Sequence, residues 1–260
     1  MSNDFMLLLP VILVSLGAIG LMLLSTSRCV RVEQTAYGSV AILAIAFLVQ
    51  LGTCVAGTVP LFDGVFNGML AVSSFTKGTG LVILGCAIFT VCISLSYFKE
   101  NTFSTSEYYS LILFATSGML LLTLARELIT AFIALEIMSL AIYILVGYDR
   151  DNKLSTEAVL KYLILGAFAG AFFTFGAAFL FGAVNSTQFA VIGKYIASYG
   201  SLHNPALLAG CFFVLVAFLF KAAAFPFHAW VIDVYDGASM PITGFMATAL
   251  KTAVFSVFAY

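Results

Sequence analysis

The amino-acid sequence predicts an all-α fold: a polytopic bundle of about eight transmembrane helices, the seventh broken near Pro226. Three observations predict it. Hydrophobic residues make up 62% of the 260 residues and charged residues 9%, whereas a soluble domain carries about a quarter charged residues. With 26 Phe against 11 basic and 12 acidic side chains, the chain cannot coat itself in polar surface, and lipid must be its solvent. Apolar runs of about 20 residues, the length that crosses a hydrocarbon core, recur along the chain. No low-complexity linker divides them, so they read as one bundle.

The first run, 5–25, follows Met1-Ser2-Asn3-Asp4. Without a basic leader or a small-residue cleavage site it reads as a retained helix and not a signal peptide. Runs at 37–57 and 80–97 follow, then 108–124 and 128–147. The sixth, 158–184, is longer than a crossing needs and must tilt or project from the bilayer. The seventh, 206–225, ends at Pro226, and the eighth, 241–260, holds Lys251. Two stretches read as loops longer than a tight turn: 58–79, and 185–205 with Lys194 and His203. Arg28, Arg31, Lys99, Arg150 and Lys153 follow runs one, three and five, while Lys77, Arg126 and Lys194 fall on the opposite side. The excess of Lys and Arg marks the cytoplasmic side, which places the N-terminus outside.

Several function classes drop out. A net charge of −1 leaves no basic footprint for nucleic acid. Four of the five cysteines, Cys54, Cys86, Cys92 and Cys211, sit in apolar runs, and only Cys29 lies in a polar stretch. No CxxC pair occurs, so zinc or iron–sulfur ligation has no ligand pattern. No phosphate-binding loop or nucleophile–base pair stands out.

The informative residues are ionisable groups at membrane depth, each costing ~2.5–3.5 kcal/mol on insertion scales. Glu136 is central in run five, Lys221 lies late in run seven, and Lys251 is central in run eight. Lys161 is nearer its helix start, where its side chain can snorkel to the headgroups. For the other three the bland reading is a buried ion pair that ties helices together. Against it, Glu136, Ser139 and Tyr143 share one helix face at i, i+3, i+7, and Thr248, Lys251 and Thr252 cluster on one side of run eight. Such polar faces turn inward.

Pro226 has no N–H, so the carbonyl of Ala222 loses its helical partner beside Lys221. Freed backbone at membrane depth persists only where protein or cavity water satisfies it, and a broken helix beside an ionisable group is how secondary transporters build ion sites. His228, Trp230, Asp233, Tyr235 and Asp236 follow as a polar run expected to reach the interface. Histidine changes charge near neutral pH, which suits His228 to a proton relay or to an interfacial hydrogen bond. The chemistry these groups support is proton transfer. Desolvation disfavours a charged lysine and a nearby carboxylate favours it, so movement of Glu136 relative to Lys221 switches the lysine between holding and releasing a proton. The GxxxG at Gly166 and Gly170 reads as close helix packing without a part in the chemistry.

These residues carry a resemblance. LEIMSLAIYILVGY, EAVLKY, KxxxxPFHAW and DVYDGA, with FNGMLAVSSFTK before them, occur in order from about Gly64 onward. Together they resemble the N-subunit family of bacterial-type respiratory complex I. That family is one of three antiporter-like chains of the proton-pumping NADH–quinone oxidoreductase. The resemblance implies three N-terminal helices in 1–107 and a first antiporter-like repeat, helices four to eight, in 108–260. By matching position, Glu136 and Lys221 are the pair that modulates proton affinity and Lys251 lies on the central hydrophilic axis. Lys161 is an additional lysine, and His228 is the histidine of the PFHxW segment.

The resemblance further implies no cofactor on this chain, with NADH, FMN, iron–sulfur clusters and quinone elsewhere in the complex. The implied partners are the other membrane subunits, sister antiporter-like chains among them. The implied site is the bacterial cytoplasmic membrane, with the N-terminus periplasmic. A sodium/proton antiporter subunit of Mrp type, or a membrane scaffold that transports nothing, are the alternatives. Trp230-Val231-Ile232 stands where the family has Trp-Thr-Pro, and Ser74 where Asp is common. The family has fourteen helices in two inverted repeats, four to eight and nine to thirteen, while this sequence stops at Tyr260. It therefore reads as the first part of such a protein.

Overall fold

The computed structural model describes residues 2–26, 31–55, 62–66, 68–100, 106–199 and 204–259. Arg28, Cys29, His203 and Tyr260, named above, lie outside them, and the side chains of Asn3 and Lys99 are likewise outside the description. Eight helices in the described residues are long and apolar enough to cross a membrane. They are α1 (Ser2–Ser25), α2 (Val32–Val55), α3 (Ser74–Glu100), α4 (Glu107–Leu124), α5 (Leu128–Val146), α6 (Lys153–Val184), α8 (Pro205–Ala222) and the span Met240–Val257. The last is built from α10 (Met240–Phe245), a π-helical turn (Met246–Leu250) and α11 (Lys251–Val257). Two short helices complete the set, α7 (Phe189–Tyr199) and α9 (Ala229–Gly237).

At the starts of α3 and α6, which differ from the sequence reading, a cap explains the difference. Helix α3 starts at Ser74 because Ser73 and Thr76 form a reciprocal cap. The Ser73 amide donates to Thr76 Oγ1 (2.9 Å) and the Thr76 amide to Ser73 Oγ (3.2 Å). Lys77 is thereby helical and buried, its Nζ donating to the Thr53 carbonyl (2.8 Å), and does not sit in a loop. Helix α6 starts at Lys153 because the Asn152 side chain accepts from the Leu154 amide (3.0 Å). Its 32 residues extend about 48 Å against a hydrocarbon core of about 30 Å. Asn185, in the left-handed conformation, ends it.

Both stretches read as loops contain structure. The first holds a small antiparallel hairpin, β1 (Phe62–Val65) with β2 (Leu70–Val72), bulged between Asp63 and Val65. The second holds α7. They meet at the turn between α4 and α5, where the Arg126 amide donates to the Met69 carbonyl (2.9 Å) and the Phe189 amide to the Arg126 carbonyl (3.0 Å). Glu127, buried in that turn, accepts from the hydroxyls of Thr130 (2.8 Å) and Thr187 (3.0 Å). A buried carboxylate there needs such donors.

Helix α4 is the central pillar. It packs against α1, α3, α5 and α11, and nearly all of its side chains are buried. Helices α6 and α8 form another intimate pair. A Cβ on Gly176 would lie 2.9 Å from the Gly210 carbonyl oxygen, and one on Gly210 3.0 Å from that of Gly176. Small residues let these backbones approach, as helix pairs in lipid require.

Candidate functional site

The site is built where α8 stops. Ala223 adopts the left-handed conformation (φ 58°). The Ala224 amide then donates to the Leu219 carbonyl (2.9 Å) and the Ala223 amide to that of Phe220 (3.0 Å). This is a Schellman termination with Ala in place of the usual Gly. The Phe225–Pro226 peptide is cis, and the chain resumes helical geometry at Ala229. The break is thus at Ala222–Pro226, as the proline predicts. Trp230 folds back and its indole N–H donates to the Phe220 carbonyl (3.1 Å). The polar run therefore does not simply lead outward: Trp230 is buried and seals the break.

Lys221 lies in the last turn of α8, 4% exposed. Its Nζ donates to Ser139 Oγ (2.7 Å) and to the Tyr143 hydroxyl (3.1 Å). It also stands 5.2 Å from the Tyr143 ring centre and 5.7 Å from that of Tyr162. These contacts, and the partial negative charge at the C-terminal end of α8, stabilise an ammonium in the bundle. Among the described residues, no carboxylate forms an ion pair with it within 4.0 Å, unlike Lys161, which pairs with Glu157 and Asp233. Lys221 and Glu136 instead border a shared cavity of about 10 Å³, walled by Phe132, Ala169, Gly170 and Phe173, room for about one water. The ion pair that would merely tie α5 to α8 is not formed.

Helix α6 supplies the opposite wall. A Cβ on Gly166 would land on the Tyr143 hydroxyl, and one on Gly170 would lie 3.1 Å from Glu136 Oε1. The GxxxG that reads in sequence as helix packing is here a pair of seats for two side chains of the site. The close approach of α6 and α8 is made elsewhere, at Gly176 and Gly210. Tyr162 meets Tyr143 edge-on (4.7 Å) and stacks on Trp230 (4.5 Å, 10°), so α5, α6 and α9 are clamped around Lys221 by aromatic contact. Gly166, Gly170, Tyr162 and Trp230 carry no mid-membrane charge, the signal that marks the other site residues in sequence.

The remaining candidates lie apart from this cluster. Lys161 donates to Asp233 Oδ2 (2.8 Å) and pairs with Glu157 Oε1 (2.6 Å), linking α6 to α9 at a half-exposed surface. His228 is exposed at the start of α9, its ring 5.6 Å from that of Phe225. Lys251 directly follows the π-helical turn, a distortion common at functional positions. Its Nζ is 6.0 Å from the Tyr235 ring centre. With Thr248 and Thr252 it lines an open groove of about 570 Å³ facing Phe75 and Thr79 of α3. Glu136, Ser139, Tyr143 and Lys221 therefore form one constellation, with Lys251, Lys161 and His228 around it. Among the described residues, no group of three or more His, Cys, Asp or Glu gathers to hold a metal ion.

A helix bundle whose broken helix ends on a buried lysine that shares a water-sized cavity with a glutamate has the architecture of the ion sites of secondary transporters. Residues 125–260 match the transmembrane family of NADH:quinone oxidoreductase and Mrp antiporters, and the chain belongs to that family. It is 39% identical over 253 residues to NADH-quinone oxidoreductase subunit N of Chloroflexus aggregans, covering 95% of this chain and 50% of that protein. It is 42% identical over 201 residues to subunit N 1 of Thermodesulfovibrio yellowstonii, covering 77% and 43%.

Among solved structures, it superposes on a chain of respiratory complex I from Thermus thermophilus with bound aureothin, with a TM-score of 0.79 and 32% identity. That match covers 96% of this chain and 52% of the other. It shares its fold with a chain of the membrane-bound sulfane sulfur reductase, an archaeal respiratory membrane complex. There the TM-score is 0.80 at 22% identity, over 96% and 51% of the two chains. The chain spans about half the length of the curated relatives it matches.

Proposed function

We propose that this chain is a proton-translocating part of an NADH–quinone oxidoreductase, in which Lys221 alternately holds and releases a proton. The carrying observation is the state of Lys221: buried, hydrogen-bonded to two hydroxyls, and sharing with Glu136 a cavity with room for about one water. A lysine paired tightly to a carboxylate keeps its proton. One held by neutral hydroxyls, with a carboxylate nearby but not touching, changes protonation when that carboxylate moves. Glu136 is thus the modulator. Lys251 beside Tyr235 takes the proton onward, and Lys161 and His228 act at the periphery.

Redox chemistry with NADH, FMN, iron–sulfur clusters and quinone belongs to other subunits on this reading, and neighbouring antiporter-like membrane chains are the partners. The setting is the bacterial cytoplasmic membrane with the N-terminus periplasmic, and 108–260 is the first antiporter-like repeat behind three leading helices. The test is Lys221→Met in the full-length protein within its complex. Proton pumping and, through coupling, quinone reduction should fall while assembly is kept. Lys221→Arg should not restore it, because guanidinium does not give up its proton. Normal pumping in both Lys221→Met and Glu136→Gln, at wild-type assembly, would overturn the reading and favour a scaffold.

A further inference from the structure

Lys221 is sealed from solvent by protein on most sides, so a proton needs a way in or out. At the end of the bundle that carries Asp149 and Asp151, the structure contains an open cavity of about 690 Å³. It is lined by acidic Glu107, Asp149 and Asp151 against Arg150, and by Tyr143 together with Gly147 and Val159, whose close packing forms an apolar neck of the wall. Tyr143, one of the residues that line it, is also a hydrogen-bond partner of Lys221: its hydroxyl accepts from Nζ at 3.1 Å. The side chain is otherwise enclosed, 6% exposed, with its ring braced edge-on by Tyr162. Its hydroxyl occupies the space that a side chain at residue 166 would fill, so the absence of a Cβ on Gly166 fixes where it sits.

We infer that Tyr143 is the proton gate between this vestibule and Lys221. The inference rests on the proposed role of Lys221 and names the residue that connects it to water. The step is an exchange that leaves the tyrosine neutral. As the Lys221 ammonium passes a proton to the Tyr143 oxygen, the hydroxyl's own proton leaves to a vestibule water. The reverse order loads the lysine. A phenol does this without net charge at the hydrophobic neck, because it accepts one hydrogen bond while donating another. The acidic lining raises the local concentration of protons and other cations there.

The test uses the full-length protein in its complex, in sealed membrane vesicles of known orientation. Tyr143→Phe keeps the ring and its packing on Tyr162 and removes only the hydroxyl. It should slow proton pumping by about a hundredfold or more at normal assembly. The deuterium solvent isotope effect should rise, because proton passage at the neck becomes limiting; a loss of packing would leave that ratio unchanged. In a second arm, Val159→Cys places a thiol on the neck. A membrane-impermeant thiol reagent added from the Asp149 side should block pumping relative to the same variant unmodified, and from the other side should not. Wild-type pumping in Tyr143→Phe, or in the fully modified Val159→Cys, overturns the gate. Either result alongside an inactive Lys221→Met leaves the lysine's role standing, while an active Lys221→Met removes that role itself.

Discussion

Lys221 keeps its ammonium in a bundle of apolar helices through small, specific concessions by its neighbours. Ser139 is fully buried and turns its hydroxyl to the lysine while donating to the carbonyl of Leu135 (2.5 Å). Hydrogen bonds to charged groups contribute about 1.5–3 kcal/mol each, enough together to offset much of the cost of a mid-membrane charge. The two glycines opposite differ in what they tolerate. A methyl at residue 166 meets the rigid end of a clamped tyrosine, whereas one at 170 meets the far end of a flexible glutamate at 3.1 Å. Gly166→Ala should therefore cost about 1–3 kcal/mol by overpacking and abolish most pumping. Gly170→Ala should leave stability within about 1 kcal/mol of wild type and alter pumping only mildly. Thermal melting of the purified complex and vesicle pumping measure both; equal losses at the two positions would show that the glycines only pack helices.

At the scale of elements, the break in α8 rests on a strained residue. Left-handed backbone costs a Cβ-bearing residue about 1–2 kcal/mol relative to the right-handed helix, and Ala223 holds it at φ 58°. Ala223→Gly should raise the melting stability by roughly 0.5–1 kcal/mol, the strain relieved less the entropy glycine adds to the unfolded chain. A lower melting temperature would mean that the methyl group packs usefully, and the strain account would fail. The break itself was legible in sequence because proline carries its own mechanism: no N–H, hence no continuing ladder. So were the eight spans, because length and apolarity are the physics of crossing lipid. What eluded the sequence depends on who touches whom. The reciprocal cap at Ser73 and Thr76 that draws Lys77 into α3, the hairpin docked on the α4–α5 turn, and the indole donated to Phe220 are contacts between segments far from obvious in a linear pattern. The π-helical turn before Lys251 has no composition signal either. Mid-membrane charge found Glu136, Lys221 and Lys251, but gave no sign that Lys251 faces a separate groove.

For the whole molecule, the proposed orientation is a matter of where the basic residues lie. Lys and Arg near the ends of the spans accumulate on the cytoplasmic side. On the side opposite Arg150 and Lys153, Lys77 is buried with its ammonium on the Thr53 carbonyl, and Arg126 Nη1 binds the carbonyl of Ala125 (2.7 Å) in a part-buried turn. Neither is a free surface charge, which leaves Lys194 as the basic residue on that side still exposed. Arg150 and Lys153, by contrast, are exposed in and beside the short connection between α5 and α6. That distribution is the one the proposed orientation, with this end cytoplasmic, requires. Helices α1 to α5 separate Asn3 from Asp151, so the two must lie on opposite faces of the membrane. In a cysteine-free background, Asn3→Cys should react with a membrane-impermeant maleimide on intact cells and Asp151→Cys only after permeabilisation. Reaction of both on intact cells would break the five-crossing path between them. Reaction of Asp151→Cys alone would keep the fold, invert the molecule, and turn the Tyr143 vestibule toward the outside.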